Sequence, residues 1–441
     1  MDRRQAWRAG ILALSLLSLA GCSSGEWFGN KSAPPLPGKR IQVLATGPRL
    51  KVDPNAAPIA LPPPAPNSSW PEPGGLTNHA MQHMEIPAVL HLAWSANVGA
   101  GSTARVKLLS QPVVADGRVF TVDSRNLVTA LDARTGHQIW QVDLTPSDVS
   151  GGSGGGVAFW HGRLFVATGF AQLVAMNASN GKILWRRTLS GPMRGAPTVR
   201  AGRVFVITVD DQTHCLAAAN GQELWTHQGI SEQAALLAGT SPAVDGNVVV
   251  VPYSSGELFA LRAENGTVLW QDQLSSISRT GEVGTLTDIT ALPIIDHGRV
   301  YAIGHANMMV AIDMRTGRQI WEHEIGGTDT PWIAGNYLFL ITNDNKVLAM
   351  NARNGNLVWM TQLPKWTDTE DQSGPIVWTG PLLASNRLIV AGSNGKVLSI
   401  SPYTGKILGR MNMASGVSIP PVVADGTLYF YTNDANIVAY R

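Results

Sequence analysis

One unit recurs seven times between Gln111 and Met413. It is an apolar strand, a turn, a second strand ending Ala-Leu-Asp or a variant, then Thr or Asn, Gly, three residues and Trp. The glycines are Gly136, Gly181, Gly221, Gly266, Gly317, Gly355 and Gly405, spaced 38 to 51 residues apart, which is the period of a propeller blade. Trp stands four residues after each of the first six, from Trp140 to Trp359, and Gly409 fills the seventh slot. Six residues before each Gly is a small residue: Ala130, Ala175, Cys215, Ala260, Ala311, Ala349 and Ser399. The Asp or Asn of the unit caps a turn with its side chain, and the Gly supplies a backbone conformation that L-residues avoid. A large aromatic at a fixed slot is expected to pack one blade on the next. Most units open on X-Pro and two apolar residues, as in Gln111-Pro-Val-Val and Ser241-Pro-Ala-Val, and Pro is tolerated at the start of a strand. The pattern predicts an all-β fold of four-stranded antiparallel blades.

The ends of the chain set the number of blades. Pro420 to Arg441 supplies only the opening strands of an eighth unit, whereas Leu92-Ala93-Trp94 occupies a Trp slot with no unit before it. The expectation is an eight-bladed β-propeller over residues 89–441, closed by its N-terminal strand, which removes the open sheet edge. Composition agrees, with 46 Gly and only 15% charged residues. A formal net charge of +2 with no basic face argues against nucleic acid as a partner. There are two cysteines, Cys22 and Cys215; Cys215 stands where other units have Ala, so it is read as a small apolar core residue.

Ahead of the repeats, Arg3, Arg4 and Arg8 precede an apolar stretch from Ile11 to Leu19 that is too short to span a bilayer. Leu19-Ala20-Gly21-Cys22 then resembles the bacterial lipobox. That resemblance implies a signal peptide over residues 1–21 and lipidation of Cys22, and Ser23 after it implies the outer membrane. Residues 22–88 read as a Pro-rich linker, since thirteen of the 27 prolines lie between Glu26 and Pro87. Within it, the apolar run Gly38 to Leu44 is either a strand held on the domain's own surface or a docking peptide.

The hallmark Ala-Leu-Asp-x-x-Thr-Gly-x-x-x-Trp resembles the pyrroloquinoline-quinone-type propeller repeat, which serves both enzymes and scaffolds. A PQQ-dependent dehydrogenase-like enzyme is one alternative. Such relatives have longer loops, calcium ligands near the ring axis and usually an adjacent cysteine pair, and this chain has no such pair. No cofactor and no metal are therefore expected. Together, lipobox, Pro-rich segment and repeat resemble the BamB-like family of outer-membrane assembly lipoproteins. The resemblance implies a non-enzymatic, lipid-anchored scaffold on the periplasmic face of the outer membrane. It also implies a BamA-like barrel-inserting protein as partner, with unfolded outer-membrane proteins as clients. In that family the partner contacts lie on two interblade loops, here Glu232 to Gly239 and Glu282 to Thr290. The family has Leu, then Leu-Arg, before the Gly, and Asp-x-Asp on the second loop. Leu237 and Asp288 match; Ala235, Ala238 and Thr290 depart. The candidate partner-binding residues are thus Leu236, Leu237, Asp288 and Thr290. Two plainer readings stay open: burial of Leu236 and Leu237 under their own loop, and turn capping by Asp288. An envelope adhesion propeller with another partner is the remaining alternative.

Overall fold

The computed structural model describes residues 50–147, 153–231, 239–274 and 288–441. Cys22, the 38–44 run, Leu236 and Leu237 lie outside the described residues. Eight four-stranded antiparallel sheets follow one another around a ring, seven of them built from consecutive strands. The eighth combines three C-terminal strands with the N-terminal strand Leu92–Asn97, which pairs antiparallel with Asn436–Tyr440 as its outermost member. The expected closure is thus observed. A two-stranded hairpin, Trp366–Asp368 with Ser373–Pro375, lies between blades six and seven and was not anticipated by the repeat.

The repeat slots have a common structural purpose. Within every blade but the seventh, the small residue is paired across the sheet with the Trp: Ala130 with Trp140, Cys215 with Trp225, Ala349 with Trp359, and Ala439 with Trp94 in the closing blade. Each indole N–H then donates to a backbone carbonyl in the turn of the next blade, over 2.7 to 3.2 Å in all seven cases. Gly136 shows why the turn needs glycine: its φ is +75°, and a Cβ there would collide with the Trp94 ring. The seventh slot is Gly409 because its blade faces the eighth, whose third and fourth strands, Asn436–Tyr440 and Leu92–Asn97, are far apart in the sequence and not joined by a turn. No turn is there to receive an indole, and a Cβ on Gly409 would meet nothing within 4 Å. Cys215 is buried in this slot, and burial pushes its thiol up to about 12.

In a four-stranded meander the first-to-second and third-to-fourth turns share one face of the ring, here called the turn face. The second-to-third turns and the interblade connections share the other, the loop face. Residues 50–88 do not behave as the free linker that their composition suggests. Residues 50–61 run along blade six, where the Asp53 N–H donates to the Leu357 carbonyl of its outermost strand at 2.8 Å, and residues 65–86 lie across the turn-side mouth of the axial channel and bond to one blade after another at its inner strand or beside it. The Asn67 carbonyl accepts from the Asp425 N–H of blade eight at 2.6 Å, and Trp70 exchanges two backbone bonds with Val114 of blade one, at 2.6 and 2.9 Å. Pro71 accepts from Phe159 of blade two at 2.7 Å, and the Glu72 carboxyl oxygen from Val199 of blade three at 3.1 Å. Thr77 and Asn78 accept from Val244 and Ile295 of blades four and five at 2.6 and 2.9 Å. The Gln82 carbonyl accepts from the Trp332 indole of blade six at 2.7 Å, and Met84 from Ser385, beside blade seven's inner strand, at 2.9 Å. Trp70 is fully buried, stacked on Trp332 with ring centroids 6.3 Å apart, and Met84 and Ile86 are buried with it. The linker expectation fails over 50–88 because every inner strand offers an unpaired edge to the channel, and an extended Pro-rich segment can satisfy those edges without building a sheet of its own.

Candidate functional site

Three interblade connections meet on the loop face beside the channel, leading into blades three, four and five. The first two touch: a Cβ on Gly195 would overlap the Thr240 carbonyl, and one on Gly239 would overlap the Arg194 carbonyl. Close backbone approach is thus what requires glycine at the foot of the first candidate loop. Threonine hydroxyls latch each connection to the next. Thr198 donates to the Pro242 carbonyl at 2.6 Å, Thr240 to Ala291 at 3.1 Å and Thr290 to Thr328 at 3.2 Å. Thr290 therefore keeps a partly exposed surface while its hydroxyl ties blade five to blade six.

Asp288 is only 3% exposed, so the structure does not present it as a surface carboxylate. It lines a crevice of about 60 Å³ with Arg194, Asp211, Ser254 and Thr240, where blades three, four and five meet. Its carbonyl accepts from the His305 N–H at 3.0 Å. Asp288 and Thr290 thus share one short segment, with Gly239 and Thr240 beside it. Leu236 and Leu237 lie outside the described residues.

The same loops form part of the wall of an axial cavity of about 450 Å³, to which Gly239, Ser241, Thr290 and Leu292 contribute. The N-terminal arm adds Trp70, Pro73, Gly74 and His79. Because the innermost strands run from the cavity wall toward the arm, the arm is the turn-side floor of the cavity. Its chemistry is mixed: leucines and prolines on the wall, and the carboxyl of Asp329, which accepts from the Thr379 hydroxyl at 3.2 Å. Burial raises the Asp329 carboxyl above the usual range, against the hydrogen bonds from Thr379 and the Gly380 N–H. In the arm, burial pushes Glu72 up to about 8, offset in part by the Val199 N–H and by Arg200. Burial also takes His79 down to about 4; its Nδ1 lies 2.7 Å from the Pro293 carbonyl, so that nitrogen carries the proton. Among the described residues no group of three His, Cys, Asp or Glu is placed to hold a metal ion. The sequence reading missed Trp70, Glu72 and His79; a Trp followed by apolar Met81, Met84 and Ile86 inside a Pro-rich stretch was the available signal.

The fold defines a class: eight-bladed propellers built on the PQQ-like repeat. A family model described as outer membrane protein assembly factor BamB matches residues 91–151, 124–361 and 343–441, and the chain belongs to that family. BamB of Escherichia coli K12 is 32% identical over 351 residues, covering 78% of this chain and 87% of that protein. BamB of Xanthomonas campestris is 27% identical over 449 residues, covering 98% of this chain and 97% of its own length. Among solved structures, BamB from Moraxella catarrhalis superposes with a TM-score of 0.67 at 20% identity, covering 80% of this chain and all of that one. The quinohemoprotein alcohol dehydrogenase of Comamonas testosteroni superposes with a TM-score of 0.65 at 15% identity, over 85% of this chain and 81% of that one. Those two likenesses concern the fold alone. The chain is an outer-membrane protein assembly factor by family.

Proposed function

We infer that this protein is a non-enzymatic, lipid-anchored scaffold on the periplasmic face of the outer membrane, and that its loop face binds the periplasmic domains of a BamA-like barrel-inserting protein. Family membership supports the assembly role. The observation that carries the choice of face is the convergence of the Gly239–Thr240 and Asp288–Thr290 segments at one place beside the axial cavity. Asp288 serves by holding the loop foot in the crevice. Thr290 and, beyond the described residues, Leu236 and Leu237 supply contact surface. Unfolded outer-membrane proteins are the clients of the assembled machinery. Cys22 is the anchor, so Cys22→Ala should leave the protein uncleaved or soluble; mature Cys22→Ala protein still in the membrane would contradict lipid anchoring.

The function is tested by co-purification from membranes. The wild-type chain should carry a barrel-inserting protein with it, and Leu237→Glu should lose it while melting normally. Retention of the partner by a normally folded Leu237→Glu protein would overturn the choice of surface.

A further inference from the structure

The eight blades are complete without the arm. Each has four strands, the N-terminal strand included, and the arm adds only single-residue bridges, at Trp70 with Val114 and at Met84 with Ala384. The family model likewise begins at residue 91, after the arm has ended. Yet the arm is bound as a ligand would be. It has a fully buried aromatic anchor in Trp70, and its backbone carbonyls accept from inner-strand N–H groups around the ring. This is strand-edge peptide recognition bent into a circle, with main-chain bonds for affinity and one pocket for an anchoring side chain.

We propose that the turn-side mouth of the axial channel is a binding site for an extended, proline-rich peptide, and that the chain fills this site in cis with its own residues 62–86. Proline suits the ligand because a preformed extended backbone loses little entropy on docking. Two consequences follow from occupancy. Among the described residues, the arm closes the turn-side end of the channel. The inner-strand groups that would otherwise attract foreign strands are taken. The inference is independent of which protein the loop face binds.

The test uses the whole folded chain with a protease site inserted between Ala88 and Val89, where Val89 is exposed. After cutting, the arm should co-elute with the propeller on gel filtration. A labelled synthetic peptide of residues 50–88 should then exchange into the cut protein at one per chain and not into the uncut one. The same peptide with Trp70→Ala should compete at least tenfold less well. Three results would overturn the proposal. The arm could separate at once with no shift in melting, which would make it a surface tether. The cut protein could lose its propeller fold when the arm is competed away, which would make the arm part of the ring core. Labelled peptide could also bind cut and uncut protein equally, which would mean non-specific adhesion.

Discussion

The indole N–H of Trp94 donates to the Ala133 carbonyl oxygen at 3.1 Å and so joins the last blade of the ring to the first. Trp94 lies on the strand that completes blade eight, and Ala133 lies in the last turn of blade one. This bond and the stacking of Trp94 over Gly136 repeat at the closure the contact that joins every other pair of blades up to the seventh. Trp94→Ala should therefore cost about 3–5 kcal/mol, as for other buried aromatic truncations. Denaturant unfolding checks this, and a loss below about 1 kcal/mol would mean that the closure does not depend on Trp94.

Gly405 and Gly409 should respond oppositely to the same change. Gly405 has φ of +70°, and a Cβ there would strike the Thr361 hydroxyl and the Trp359 ring, so Gly405→Ala should destabilise clearly. Gly409 lies in a strand with open space around it, so Gly409→Ala should be neutral or stabilise by about 0.5–1 kcal/mol. Equal melting shifts for both variants would contradict the explanation of the missing seventh Trp.

The thiol of Cys215 should be inert. It is buried opposite Trp225 and its proton is held up to about 12, so alkylation at pH 8 should require unfolding. Rapid modification of the native protein at Cys215, mapped by mass spectrometry, would show that the blade opens locally.

Two buried groups make arm docking depend on pH. Glu72 is raised from 4.5 to about 8 on folding, so its stabilisation is full below 4.5 and is lost as pH rises through 8. His79 is lowered from 6.5 to about 4, so its stabilisation is full above 6.5 and is lost as pH falls through 4. The slopes offset each other between 4.5 and 6.5, leaving a decline from 6.5 to 8 that belongs to Glu72. Arg200 lies near the Glu72 carboxyl but is also 4.0 Å from Asp245, which limits its help. Glu72→Gln should flatten the melting temperature across that interval; an unchanged slope would assign the decline elsewhere.

The blades were legible in the sequence because one physical task recurs at each slot. Ala130 and Cys215 both face a Trp across a strand pair, so a cysteine among alanines could be read as packing. The arm was not legible for the converse reason. Pro62 to Pro66 signals an extended chain equally well whether solvent or strand edges satisfy its backbone, and those edges exist only once the ring has closed. Asp288 reads in the sequence as a surface carboxylate of its loop, whereas the structure buries it. Its burial depends on Arg194, Thr240 and Ser254 converging from two other blades, which no local pattern records.

The most direct test of the account measures affinity for the purified periplasmic domains of the cognate barrel-inserting protein. Four proteins are compared: wild type, Leu237→Glu and Thr290→Arg on the loop face, and Arg134→Glu at an exposed turn-face position. The account predicts that wild type and Arg134→Glu bind alike, while the two loop-face variants lose about tenfold or more, Leu237→Glu with unchanged melting. Equal affinity of all four folded proteins would contradict it.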